Sequence, residues 1–240
     1  YGVTDLEKCT RYFTDWGLIP VSSDETGAVF ETLEKTTVQL RNADNPSLPP
    51  VHCDMPFFEG SCGREVIWGA DNAETLAAIG NELGKDREII EAEDGSLHTR
   101  DDAKNSLGFC VTKRTVAKET HPTINAPGNS MRINQPAYGA TPSLASPVRI
   151  GHVVHSVQGD VVEKAKFYLD RLGFKLSDRI GKGGCFMRAG GSHDHHNLLL
   201  QQLGGGYGMQ HSAYEFRDFD QVMQRGLYME EQGWQTHIGP

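Results

Sequence analysis

The sequence has no run of about 18 apolar residues, no CxxC pair and no basic surplus, and each absence closes off a class of function. Without an apolar run of that length, no helix is expected to span a bilayer. The five cysteines, Cys9, Cys53, Cys62, Cys110 and Cys185, form an odd set, which reads as reduced thiols of a cytoplasmic protein rather than a disulfide frame. With 23 Lys and Arg against 32 Asp and Glu, the net charge is -9 and no basic stripe is present, so no nucleic-acid partner is expected. What is there, 38% hydrophobic and 23% charged residues over 240 positions, suits a globular protein long enough for two modest domains. No secretory signal opens the chain; Tyr1-Gly2-Val3 reads as the end of a strand, and Trp234 to Pro240 as a strand or loop stopped midway. Both ends are therefore expected to lack residues.

The strongest pattern is an internal repeat. Four times, a short apolar strand meets an Asp suited to an N-cap, then a helix of about three turns, a closing Gly and β-rich sequence. The caps are Asp5, Asp71, Asp160 and Asp218, and the glycines Gly17, Gly84, Gly173 and Gly233, at spacings of 12, 13, 13 and 15. Leu6, Cys9, Phe13 and Trp16 form the apolar stripe of the first helix; Val161, Ala165, Tyr168, Leu169 and Leu172 form that of the third. Strands are expected over 28–33, 36–40, 88–92, 107–112 and 196–202. The fold class is α+β, four βαβββ modules in two domains, each pair of modules forming an open barrel-like sheet. Prolines 122, 127, 136, 142 and 147 break the rhythm, so residues 116–148 read as a linker between an N-terminal pair (1–115) and a C-terminal pair (149–240).

Seven of the ten histidines lie from His152 onward. His152, in the first strand of the third module, and His211, in that of the fourth, occupy equivalent positions. In a half-barrel of paired modules such positions face each other across the mouth, where two neutral imidazoles bind a divalent transition metal. The matching strands of the first two modules carry no histidine, so metal is expected only in the C-terminal pair. Strand alternation turns His155 to the opposite face, in a structural or solvent-facing place. The tract Ser192-His-Asp-His-His196 reads either as a polar surface turn or as the presentation of one histidine beside the metal for proton transfer; its place at the start of a strand favours the second reading and His196.

With these residues assembled, the chain resembles the vicinal-oxygen-chelate superfamily and, within it, the type I extradiol catechol dioxygenases, over nearly its whole length. The resemblance rests on Gly151-His152-Val153-Val154, Leu172-Gly173-Phe174, Ser177-Asp178, Cys185-Phe186-Met187-Arg188, His195-His196 and His211-Ser-Ala-Tyr-Glu-Phe216, in that order. It implies iron(II), with manganese(II) the alternative, held by His152, His211 and a Glu expected beyond Pro240. Glu215 does not fill that place, since it lies on the strand of His211 at roughly 13 Å from it. The resemblance further implies His196, with His195 beside it, as the catalytic histidines, and Val154, Phe186 and His196 as contacts of the substrate ring. The substrates would be a small aromatic diol and dioxygen. Open sheet edges are compatible with a homo-oligomer. The alternatives are a glyoxalase-like isomerase or lyase, which needs further protein ligands and no pocket histidine, and a metal-free ligand-binding protein of the same superfamily.

Overall fold

The computed structural model describes residues 1–55, 59–117, 145–202 and 206–236. The βαβββ order recurs three times in it and a fourth unit begins. The first module is β1 (Gly2–Val3), α1 (Leu6–Asp15), β2 (Ile19–Asp24), β3 (Gly27–Glu31) and β4 (Thr37–Asn42); the second is β5 (Val66–Ala70), α2 (Ala73–Leu83), β6 (Ile90–Glu91), β7 (Leu97–Arg100) and β8 (Ser106–Val111). The third contains β9 (Arg149–Ser156), α3 (Val161–Lys166) running on into a π-helical turn over Phe167–Arg171, β10 (Lys175–Ile180), β11 (Gly184–Arg188) and β12 (Leu198–Gln201). The fourth supplies β13 (Gly208–Glu215) and α4 (Phe219–Glu231). Of the expected linker, residues 118–144 lie outside the described residues, as do 237–240 of the terminal stretch. No helix among the described residues is long and apolar enough to cross a membrane.

Caps explain where the helices start. Asp5, Asp160 and Asp218 accept from backbone N–H groups of the first turn, each satisfying donors that the helix itself leaves unpaired. In α2 the cap is Asn72, which accepts from Thr75 N, and not the expected Asp71. Both residues can cap, and the chain starts its helix one position later. Gly17, Gly173 and Gly233 take positive φ at the helix ends, whereas Gly84 stays right-handed at φ -64, because its N–H still bonds the Gly80 carbonyl.

The sheets run β1-β4-β3-β2, β5-β8-β7-β6 and β10-β11-β12-β9-β13. The third joins the two C-terminal modules through the antiparallel β9/β13 pair. An antiparallel bridge between Gly2 and Cys62 joins the N-terminal modules in the corresponding place. Each core crosses the halves. One cluster gathers Leu83, Leu107 and Phe109 of the second module with Val153, Val161, Tyr168, Met187, Leu198 and Leu200 of the third. Trp68 meets Phe174 edge-on at 5.1 Å, and the buried Tyr168 hydroxyl donates to Asp101 at 2.7 Å. The other cluster gathers Val3, Phe30, Val38 and Leu40 of the first module, with Tyr214 of the fourth packed on it. Trp16 sits edge-on to both Tyr214 and Phe216, and Arg225 of α4, fully buried, donates to the carbonyls of Asp15 and Ala145. Burying each large apolar side chain contributes roughly 1.5–3 kcal/mol, and these contacts cover one face of the five-stranded sheet. The opposite face is left to chemistry.

Candidate metal centre

That opposite face is read directly from the register. Phe186 pairs with Leu199, Leu199 with Val154, and Val154 with His211, so one row of side chains runs across β11, β12, β9 and β13. His152 lies two residues before Val154 and shares its face. Val153 and His155, at the alternate positions, turn to the core. The position of His211 depends on a β-bulge: Met209 pairs with His155 and His211 with Val154, which leaves Gln210 as an extra residue on β13. Without it, Met209 and His211 would share a face. With it, Met209 packs inward at Gly63 while His211 turns outward beside His152.

The two imidazoles are therefore diagonal neighbours on adjacent strands, rather than partners facing each other across a mouth, and their Nε2 atoms are 3.2 Å apart. Two nitrogens, each about 2.1 Å from one ion and at right angles, would be about 3.0 Å apart, so the spacing fits a shared metal. Gln210 Oε1 forms a very short hydrogen bond with His211 Nδ1, which places the proton on Nδ1 and the lone pair on Nε2. Burial, followed by the neighbouring His196 and His211, lowers the His152 pKa to about 4; burial also lowers those of His211 and His196. All three rings are neutral at pH 7, the form that binds metal. Among the described residues, no group of three or more His, Cys, Asp or Glu side chains is arranged to hold an ion. The pair supplies two donors.

His196 stands at the entrance to β12, beside β9. Its ring lies 4.2 Å from that of His152, centroid to centroid, and meets Phe186 edge-on at 4.9 Å. His152 directs its own Nε2 to His211 instead. His196 Nδ1 is hydrogen bonded to Nδ1 of the exposed His195 at 3.1 Å, which leaves His196 Nε2 free of that contact. Phe186 is half-buried against both histidines, and Val154 has no exposed surface, so it forms the floor beneath them. Glu215 pairs with Arg149 at the far end of β13, away from the imidazoles. His155 is not solvent-facing: it is 4% exposed, and neither ring nitrogen has a hydrogen-bond partner among the described residues. It borders a cavity of about 10 Å³ with His52, Glu65 and Asn105. A broader concavity of about 340 Å³, between Tyr12, Ser61 and Trp234, has no imidazole on its wall.

Sequence reasoning missed Gln210, Arg149 and Asp194. Arg149 grips the Asp194 carboxylate through two bonds of 2.6 and 2.7 Å, and Asp194 also accepts from Asn197 and Ser192. The Asp within the His-rich tract was the available signal.

Residues 149–240 match the model of the Glyoxalase/Bleomycin resistance protein/Dioxygenase superfamily. No curated protein sequence matches the chain. Among solved structures, the chain is similar to the 2,3-dioxygenase LapB from Pseudomonas sp. KL28, at 15% identity and a TM-score of 0.69, with 99% of this chain and 80% of that one covered. It is also similar to the Mn(II)-bound glyoxalase from Novosphingobium aromaticivorans, at 20% identity and a TM-score of 0.65, with 97% and 68% covered. A variant of homoprotocatechuate 2,3-dioxygenase from Brevibacterium fuscum matches at 20% identity and a TM-score of 0.65, with 96% and 59% covered. The chain carries, over residues 149–240, a domain of the Glyoxalase/Bleomycin resistance protein/Dioxygenase superfamily, and along nearly its whole length it shares the fold of those dioxygenases and that glyoxalase.

Proposed function

We propose that this chain is the greater part of an extradiol dioxygenase that opens the ring of a catechol-type substrate with dioxygen at a non-haem iron(II) site. The observation that carries the reading is the 3.2 Å approach of His152 and His211 Nε2 with the His196 ring lying against His152. His152 and His211 would hold the ion, with a Glu from outside residues 1–240 as third donor; manganese(II) fits the same donors. Bound there, the metal supplies Lewis acidity and an electron path between an aromatic diol and dioxygen.

The chain's own residues do the rest. His196 has its Nδ1 engaged by His195, which leaves Nε2 as the nitrogen free to exchange a proton with a diol hydroxyl as the ring opens. Phe186 presents an apolar surface to the ring and limits water beside His196, while Val154, fully buried, and Leu199 back it from beneath. The N-terminal modules support this face through the shared cores. The glyoxalase-like alternative fits less well, because the place beside the paired imidazoles is taken by a histidine suited to proton transfer. A cytoplasmic protein, with any homo-oligomer using the exposed strands β2 and β10, completes the reading.

The test is catechol turnover by the full-length protein loaded with iron. His196→Phe should retain its iron while turnover falls about 10²–10⁴-fold, the usual contribution of an acid–base group. Turnover at the wild-type rate would move the proton-transfer role elsewhere. Loss of iron would make His196 a ligand and favour the isomerase reading.

A further inference from the structure

Three segments carry the histidines of this face: β9 with His152, β13 with His211, and the turn before β12 with His195 and His196. A single side chain reaches all three. Arg149 opens β9, three residues before His152; it pairs across the strands with Glu215 of β13 and grips Asp194 in the turn through both carboxylate oxygens. Such a two-pronged bond fixes orientation as well as distance. Asp194 then acts as the hub of the turn. It accepts from the Asn197 amide at 2.8 Å and the Ser192 hydroxyl at 3.0 Å, while Ser192 Oγ accepts from Asp194 N at 3.1 Å. Asn197 also donates to the Gly151 carbonyl, next to His152. Arg188 of β11 holds the turn from the other side through the Ser192 carbonyl. Arg149 and Asp194 are both largely shielded from solvent, and ion pairing keeps the Asp194 carboxyl well below its ordinary range, so the clamp stays charged at working pH.

Among the described residues, His195 and His196 make no such anchoring bond of their own; their ring nitrogens bond to each other. We propose that Asp194, gripped by Arg149, is the positioning residue for His196: the clamp sets the turn so that the His196 ring lies against His152. The inference rests on the ring-cleaving reading only for what His196 then does, since the geometry of the clamp stands without it. An unclamped turn would leave the His152 and His211 donors in place but let His196 wander, and a displacement of about 1 Å at a reacting group costs on the order of a hundredfold in rate.

The experiment uses the full-length protein. In the zinc-loaded form, ring nitrogen NMR spectra of Asp194→Asn should show the His195 and His196 signals broadened or doubled, while those of His152 and His211 keep their wild-type positions. In the iron-loaded form, Asp194→Asn should retain its metal and its KM while kcat falls about tenfold to a hundredfold. The double variant Asp194→Asn/His196→Phe should be no slower than His196→Phe alone, because a residue acting through another adds nothing once that other is gone. Unchanged His196 signals, or a fully additive double variant, overturns the proposal. If Asp194→Asn does not fold, Ser192→Ala carries the same reading in milder form: perturbed His196 signals support the clamp, and unperturbed ones overturn it. If the wild type turns over no catechol, the ring-cleaving reading fails and the spectra alone decide the positioning role.

Discussion

His152 and His211 stand 59 residues apart in the chain and meet Nε2 to Nε2 at 3.2 Å. The juxtaposition depends on a single extra residue. Gln210 bulges from β13, so that Met209 and His211, two positions apart, turn to opposite faces of the sheet. The same residue also accepts a hydrogen bond from His211 Nδ1, so one bulge sets both the direction and the tautomer of the imidazole.

From this follows an expectation for metal affinity. Gln210→Leu keeps the bulge but removes the acceptor that orients His211, and such outer partners typically contribute 10- to 100-fold in affinity. Titration of the metal-free full-length protein with zinc should show weakening of about that size. An unchanged affinity would show that Gln210 has no part in holding the ring.

Acid stability should depend on His155. Burial pushes this imidazole from its ordinary 6.5 down to about 4, with Asp101 and His52 the charged and titratable groups acting on it. The unfolded chain takes up a proton between about pH 6.5 and pH 4 that the folded chain refuses, so stability is lost as the pH falls through that window. The loss attributable to this one ring is at most about 3 kcal/mol. Urea midpoints at pH 7 and pH 4.5 should show a smaller acid loss for His155→Leu than for the wild type; equal losses would remove His155 from the account.

The cap of α2 can be tested against its neighbour. Asn72→Ala should cost about 1 kcal/mol of unfolding free energy, because the Thr75 N–H loses its acceptor. Asp71→Ala should stay within about 0.5 kcal/mol. Chemical denaturation of the two variants checks the order, and the reverse order would return the cap to Asp71.

What was legible in the sequence, and what was not, divides along the range of the interactions. Asp5, Asp160 and Asp218 could be read as caps because a cap is a contact between residues two or three apart. The error at α2 arose where two capping residues stand side by side. The pairing of His152 with His211 was visible because repeated modules place equivalent residues in equivalent strands. Their adjacency on one sheet, rather than across a mouth, was not, since strand pairing is non-local. The bulge at Gln210 is a matter of register, and the Arg149–Asp194 clamp spans 45 residues, so neither leaves a local signature. The cores that join Phe109 to Val153 and Trp16 to Tyr214 are equally non-local. Periodicity showed which face of a helix would pack inward but not against what.

The central claim is that His152 and His211 hold one metal ion between them. Its most direct measurement is the iron content of full-length wild type and His152→Ala after anaerobic loading with iron(II) and removal of unbound metal. The account predicts about one iron per chain in the wild type and almost none in His152→Ala, since a labile divalent ion is not retained once one of its imidazoles is lost. Iron retained at the wild-type level in His152→Ala would contradict it.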